Sequence, residues 1–145
     1  MDVKDVQECF MHGVDCGQVV AGEFEKETGL SKEVLRKLTA GYGGGMMRGE
    51  TCGLVIAAYN VLGAIYGHSE KDEDEQKGIF LTKMFEFNDK FTSTYSGLMC
   101  REVLGANIAT KEGSQKIQEE NLMMTLCPQA AVDTIEMLHE IIDGE

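Results

Sequence analysis

The sequence predicts an all-α protein, a single-domain bundle of about five to seven helices around an apolar central helix at about residues 51–66. Three observations support this fold class. The chain contains one proline in 145 residues, alternating apolar and polar runs are scarce, and apolar residues recur at helical spacing. Hydrophobic residues make up 43% of the chain, which is enough for a core. Because no linker or internal repeat interrupts the pattern, we expect one domain over residues 1–145.

The first half of the chain predicts three short helices before the central one. Residues 2–12 carry apolar side chains at helical spacing, and a second helix runs over about 15–28 with Asp15 as its N-cap. Ser31 caps a third short helix. Residues 41–49 contain five glycines among nine positions, so they cannot form a stable helix interior. The almost wholly apolar run 51–66 is typical of a helix in the middle of a bundle.

The second half predicts two long helices with shorter elements between them. We expect the acidic residues 69–75 to form a solvated loop or first helical turn. A core-facing apolar stripe from Ile79 to Phe91 follows on one helix. Another helix begins near Leu98. We expect residues 106–122 to be a loop with one short helix, and the last helix to span about 128–143.

The charge balance excludes several classes of partner. A formal net charge of −12 argues against nucleic acid and anionic membranes. No run of 18 apolar residues is present and the N-terminus is charged, so we expect neither a membrane span nor a secretory signal. Five cysteines, an odd number spread along the chain, are typical of reduced thiols, which predicts a cytoplasmic protein.

Four cysteines fall at predicted helix starts. Cys16 follows the cap Asp15, and Cys52 precedes the central helix; Cys100 and Cys127 stand where two later helices begin, and Pro128 makes Cys127 the predicted cap. Unpaired backbone N–H groups and the helix dipole stabilise thiolates there, so we expect lowered pKa values. Cys9 lies in mid-helix and is interpreted as packing. The recurrence predicts that these four cysteines form one site.

The chemistry of that site stays open at the level of sequence. The cysteines are separated by 36, 48 and 27 residues, so no zinc-ribbon or thioredoxin-like pair is present. If the four converge, they suit an iron–sulfur cluster or zinc. If fewer meet, two could cycle between dithiol and disulfide. The alternatives are a non-catalytic soft-metal module and a metal-free, purely structural set, so no enzyme class follows.

The glycine-rich stretch is a candidate cofactor-binding segment. Gly43, Gly44, Gly45 and Gly53 could present backbone N–H groups to an anion or a bound group, with Arg48 supplying positive charge. The alternative is a connection that lets the backbone pass close to a neighbouring helix. The stretch lacks the Gly-Lys-Ser/Thr ending of a nucleotide P-loop, which argues against nucleotide binding.

These blocks resemble the C_GCAxxG_C_C family. The similarity rests on Gly13-Val14-Asp15-Cys16, on 41–53 ending in Thr51-Cys52-Gly53, on Cys100 through Gly105, and on Cys127 before an apolar helix. It covers essentially the whole chain and implies redox activity centred on Cys16, Cys52, Cys100 and Cys127. Cys9 lies outside the pattern.

The resemblance also implies cofactors and partners. A related helical cysteine domain in a multihaem cytochrome holds an iron–sulfur cluster, and family members are often encoded near transporter genes, so we expect a redox partner or a transporter-linked protein. Covalent haem is not expected because no Cys-x-x-Cys-His motif is present. A homodimer is compatible with so apolar a central helix. Leu54 and Ala57 are larger than the family pattern at their positions, which argues against a close helix approach there.

Overall fold

The computed structural model describes residues 1–144, which form ten α-helices and no β-strand. A separate turn, Gly45–Gly49, lies between the fourth and fifth helices. The all-α prediction is therefore confirmed. In chain order the helices are α1 (Val3–Met11), α2 (Cys16–Gly22), α3 (Glu25–Thr28), α4 (Lys32–Leu38), α5 (Gly53–Tyr66), α6 (Asp74–Thr94), α7 (Cys100–Leu104), α8 (Lys111–Glu119), α9 (Leu122–Thr125) and α10 (Cys127–Asp143).

The predicted central helix is α5, and it packs against α2, α3, α6 and α10. Its side chains are buried on nearly every face, as the uninterrupted apolar run predicts. It begins at Gly53 rather than at 51, because residues 50–52 pair with a different part of the chain. The side chains of α5 that are at most 1% exposed belong to Leu54, Val55, Ala57, Ala58, Val61 and Leu62.

Helix α6 supplies the aromatic side of the core. Phe87 and Phe91 are fully buried, with ring centroids 5.8 Å apart, and Tyr95 packs on Phe91 at 4.9 Å. The prediction that Ile79 faces the core is wrong, because it is 41% exposed. Its neighbour Phe80 packs against the core instead, and its ring lies beside Gly63 of α5.

Short helical pieces explain the difference between the predicted and observed helix counts. The predicted helix over 15–28 is divided into α2 and α3 at Glu23 and Phe24, where Phe24 turns fully into the core. The segment predicted as a loop with one short helix contains α8, and the one-turn α9 follows it. One-turn helices carry too little periodicity to be seen in a sequence. Within residues 1–144, no helix is both long and apolar enough to cross a membrane.

Helices α2 and α5 approach each other closely, contrary to the expectation from the bulk of Leu54 and Ala57. A methyl group on Gly17 would lie 3.0 Å from the carbonyl oxygen of Gly53 and 3.4 Å from Cβ of Ala57. The expectation was wrong because the approach occurs through two glycines, Gly17 and Gly53. This contact places the starts of α2 and α5 side by side.

Candidate cysteine site

The structure confirms that four cysteines lie at four helix starts. Cys16, Cys100 and Cys127 are the first residues of α2, α7 and α10, and Cys52 is the N-cap of α5. The predicted cap position of Cys127 is wrong by one residue, because Leu126 occupies the cap and Pro128 is the second helical residue. The remaining cysteine, Cys9, lies within α1 and packs against the core.

A short antiparallel pairing joins two of the cysteine-bearing segments. Thr51 forms an antiparallel bridge with Met99. On one side of this bridge, the amide of Cys52 donates to the carbonyl of Leu98 at 2.8 Å. On the other side, the amide of Cys100 donates to the carbonyl of Glu50 at 2.6 Å. Because side chains alternate across extended backbone, Cys52 and Cys100 lie on the same face of this pairing as diagonal neighbours. Two cysteines 48 residues apart in sequence are thereby held side by side.

Arg101 connects this pairing to the glycine-rich stretch. Its Nη1 donates to the carbonyl of Gly49 at 3.3 Å and lies 3.7 Å from Oε2 of Glu50. The arginine of the Cys100 block therefore fixes the end of the glycine stretch directly before Cys52.

Glycine is required where the cysteine segments meet. A methyl group on Gly53 would lie 2.6 Å from Sγ of Cys16 and 2.6 Å from the carbonyl oxygen of Tyr42. A methyl group on Gly45 would lie 2.8 Å from Cβ of Cys100. All three distances are shorter than any tolerated carbon contact, so the two glycines allow the backbone to pack directly against cysteine side chains.

All four helix-start cysteines line one cavity of about 340 Å³. Cys52 and Cys100 are buried, at 6% exposure each, whereas Cys16 and Cys127 are half-buried. The other walls of the cavity come from the glycine stretch, from α7 and from the α9 region. Apolar side chains predominate among them, including Phe10, Met47, Leu54, Val103, Leu104, Ile108, Met123 and Met124.

The predicted cofactor-binding residues are divided between the cavity wall and the outside. Gly43, Gly44 and Gly53 line the cavity. Gly45 packs against Cβ of Cys100, and the Arg48 side chain is exposed. Neither residue belongs to the cavity lining formed by residues 1–144.

Sequence reasoning missed two methionines of the cavity wall, Met123 and Met124. Met47, Met123 and Met124 all line it, and Met47 is 66% exposed at its edge. The signal available was their position, since Met123 and Met124 stand just before Cys127 and Met47 lies in the stretch before Cys52. Asp15, predicted only as a cap, also lines the cavity.

The glycine stretch contains a left-handed turn. Gly44, Gly45, Met46 and Met47 have φ values of 64°, 61°, 58° and 58°. Glycine adopts this conformation freely, but for methionine it costs on the order of 1–2 kcal/mol per residue. The prediction of irregular backbone is confirmed, and the two methionines add strain at the edge of the cavity.

The prediction of lowered thiol pKa values is wrong. Burial raises the pKa of all four thiols, that of Cys100 to about 11 and that of Cys127 to about 12. The amides of Leu54 and Val55 donate to the sulfur of Cys52, which lowers its pKa, but burial outweighs them. Negative charge on neighbouring cysteines raises the pKa values of Cys16, Cys100 and Cys127 further. Helix-start amides stabilise a thiolate only where it also keeps access to water.

The sulfurs surround a space and do not form a compact chelate. Within residues 1–144, no group of three or more His, Cys, Asp or Glu side chains is arranged so that it could hold a metal ion. The four thiols line the same cavity, and negative charge on the other three raises the pKa of Cys16. In their present positions, the four cysteines share the cavity lining without forming a compact ligand group.

Comparison with known proteins identifies the family. A family model described as "Putative redox-active protein (C_GCAxxG_C_C)" matches residues 14–141. No curated protein and no solved structure matches the chain. The matched range includes all four helix-start cysteines and leaves out Cys9. The chain therefore belongs to the C_GCAxxG_C_C family.

Proposed function

We propose that Cys16, Cys52, Cys100 and Cys127 bind one iron–sulfur cluster that serves in electron transfer. The observation that carries the proposal is the common cavity: four cysteines from four helix starts line it. Four cysteines are the usual ligand set of such clusters. When bound, the cluster supplies a one-electron redox centre.

The donor set and its surroundings fit this group. Thiols whose pKa is raised by burial and mutual repulsion stay protonated in an empty site, and a bound cation reverses that balance by stabilising the thiolates. A cluster also fills the space between its ligands, which suits cysteines that surround a cavity. Among residues 1–144 no compact group of three or more ligands is arranged for a metal ion, which argues against a single zinc ion.

The chain's own residues would position and tune the ligands. The amides of Leu54 and Val55 donate to Cys52, and the amide of Gly17 donates to Cys16. Hydrogen bonds to cluster sulfurs and ligand sulfurs raise the reduction potential, whereas a dry apolar wall lowers it. Gly53 holds the Cys16 and Cys52 segments together, and the Thr51–Met99 bridge does the same for Cys52 and Cys100.

The main alternative is a thiol–disulfide oxidoreductase. It would use two cysteines, and Cys52 with Cys100 is the pair that the bridge holds on one face. Such an enzyme needs one thiol with a lowered pKa, and the pKa values of these two are raised. We therefore favour the cluster.

Anaerobic purification followed by iron, sulfide and visible-absorption analysis tests the proposal. We expect a brown protein with stoichiometric iron and acid-labile sulfide. Replacing Cys52 or Cys100 with serine should abolish loading, whereas Cys9→Ser is the matched control and should load normally. A colourless, iron-free wild-type protein would contradict the proposal. A reversible disulfide found by differential alkylation and mass spectrometry in that protein would favour the oxidoreductase instead.

A further inference from the structure

The cavity is larger than a cluster needs. An apolar cavity of about 150 Å³ holds a six-carbon aromatic ring. The cysteine cavity has about 340 Å³, more than twice that volume. A cluster core has four to eight atoms and is comparable in size to such a ring. Space for a second occupant of similar size therefore remains beside a bound cluster.

The walls of the remaining space are apolar. Apart from the cysteines and glycines, the cavity is lined mainly by aliphatic, aromatic and thioether side chains, with Met47, Met123 and Met124 partly exposed at its edge. Methionine is flexible and polarisable, so such a wall adapts to apolar ligands of different shape. The chemistry of these walls selects an occupant with an apolar body.

Asp15 is the one charged side chain in the cavity lining formed by residues 1–144. It is exposed, and a methyl group on Gly43 would lie 3.1 Å from its Oδ2, so the carboxylate lies directly against the glycine stretch. A single carboxylate at the rim of an otherwise apolar cavity favours a ligand with one positively charged end. The net charge of −12 attracts cations to the protein as a whole.

The position of Asp15 is fixed by its neighbours. The Gln18 side chain accepts a hydrogen bond from the amide of Asp15 at 2.9 Å through Oε1, and its Nε2 donates to the carbonyl of Arg36 at 3.0 Å. Helix α4 therefore braces the start of α2, where Asp15 and Cys16 are adjacent. A ligand bound to this carboxylate would lie beside the cysteine site.

We propose that the cavity binds, beside the cysteine-held group, a small molecule with an apolar body and one cationic amine end. The amine lies against the Asp15 carboxylate at the rim, and the apolar body lies among the methionines. This inference rests on the proposed function for the presence of the cluster. It adds to electron transfer the binding of a small ligand in the same cavity.

Three probes with the same ring and different charge test the inference: benzylamine, toluene and benzoate. Binding is measured by amide chemical-shift titration of the cluster-loaded protein. We expect benzylamine to bind up to about fivefold more tightly than toluene, since one exposed charge pair contributes no more than that, and benzoate to bind most weakly. The shifts should be centred on Asp15, Gly43 and the residues around Met124.

Asp15→Asn is the decisive variant, because asparagine is an equally good N-cap and removes only the charge. It should abolish the preference for benzylamine over toluene. Asp89→Asn, at an exposed position on α6, removes one negative charge in the same way and should leave the preference unchanged. Equal affinity for the three probes, or a preference that survives Asp15→Asn, overturns the inference.

Loading distinguishes this test from that of the proposed function. Iron content and the visible spectrum report on the cluster, whereas the titration reports on the second occupant. A cluster-loaded protein that does not bind benzylamine overturns this inference and leaves the proposed function intact. A protein without iron overturns the proposed function; repeating the titration on it then shows whether the amine site exists, and absence of charge selectivity there also overturns the inference.

Discussion

Two regions of the molecule are built differently. Around Phe87, Phe91 and the middle of α5, long helices fill the interior, and the large side chains are fully buried. Around the cysteines, four helices begin, the backbone turns left-handed at 44–47, and a cavity of about 340 Å³ remains. Close packing therefore supports the first region, whereas glycine contacts and backbone hydrogen bonds hold the second open.

Polar contacts reinforce the closed region as well. The Tyr59 hydroxyl donates to Oδ1 of Asn88 at 2.6 Å, and the Tyr95 hydroxyl donates to Oδ2 of Asp133 at 2.5 Å. Each joins two helices around the aromatic core, α5 with α6 and the end of α6 with α10. We therefore expect the stability of the fold to come mainly from this closed region. The cysteine region, with its cavity, is then available for binding.

The largest expected effect lies in the closed region. Phe87→Ala removes a fully buried ring that packs on Phe91 and Tyr59. We expect it to lower the free energy of unfolding by about 3–5 kcal/mol, as measured by urea denaturation. Phe85→Ala, two residues earlier and 56% exposed, is the control and should change stability little. A loss below about 1 kcal/mol for Phe87→Ala would mean that the aromatic core does not dominate stability.

A second prediction tests the glycine contact in the open region. In Gly53→Ala, the new methyl group collides with Sγ of Cys16 and the carbonyl of Tyr42. We expect destabilisation of about 1–3 kcal/mol and loss of cluster loading, measured by denaturation and iron content. Gly78→Ala on α6 meets nothing within 4 Å and should stabilise by about 0.5–1 kcal/mol while loading stays normal. Normal loading in Gly53→Ala would show that close contact between the two segments is unnecessary.

The third prediction concerns pH in the cluster-free protein. The pKa of Cys127 is raised to about 12 in the folded state and that of Cys100 to about 11, above the ordinary value of 9.0. Above pH 9 the unfolded chain therefore releases thiol protons that the folded chain keeps, so stability falls as pH rises from about 9 toward 11. The loss should be about 1 kcal/mol per thiol for each pH unit.

Urea denaturation at pH 8 and pH 10.5 checks this dependence. Cys127→Ser removes one titrating thiol and should reduce the fall in stability, whereas Cys9→Ser, outside the cavity, should not. An identical fall in the wild type and in Cys127→Ser would contradict the raised pKa.

The smallest effect is expected at the left-handed turn. Met46→Gly replaces a strained residue with φ of 58° by one that adopts this backbone freely. We expect a gain of about 0.5–1 kcal/mol in unfolding free energy, since glycine's entropic cost offsets part of the relieved strain. Met99→Gly, at an extended position with φ of −92°, has no such strain to relieve and should give no gain. A destabilised Met46→Gly would show that side-chain packing outweighs the backbone strain.

Local sequence patterns anticipated the closed region and the helix starts. The apolar run of α5, the cap at Asp15 and the positions of four cysteines all depend on nearby residues, and sequence reasoning identified them. The Thr51–Met99 bridge and the methionine wall depend on contacts between distant segments. The left-handed turn at Met46 and Met47 contradicts local preference, so no propensity argument could predict it.

The thiol pKa values also depend on contacts that local sequence does not reveal. Cysteines at helix starts predicted lowered values from the local backbone, but tertiary burial reverses the sign. The recurrence at helix starts and the resemblance to the family both indicated which cysteines belong together, whereas only the folded chain shows that they line a common cavity.

The most direct test of the central claim is iron K-edge X-ray absorption on the anaerobically loaded protein, compared with the Cys→Ser variants at positions 16, 52, 100 and 127. The account predicts a sulfur-only first shell with iron–iron scattering in the wild type and in Cys9→Ser, and its loss or an added oxygen ligand in each of the four variants. A wild-type first shell containing nitrogen or oxygen, or variants whose spectra match the wild type, would contradict the claim that these four cysteines form one cluster site.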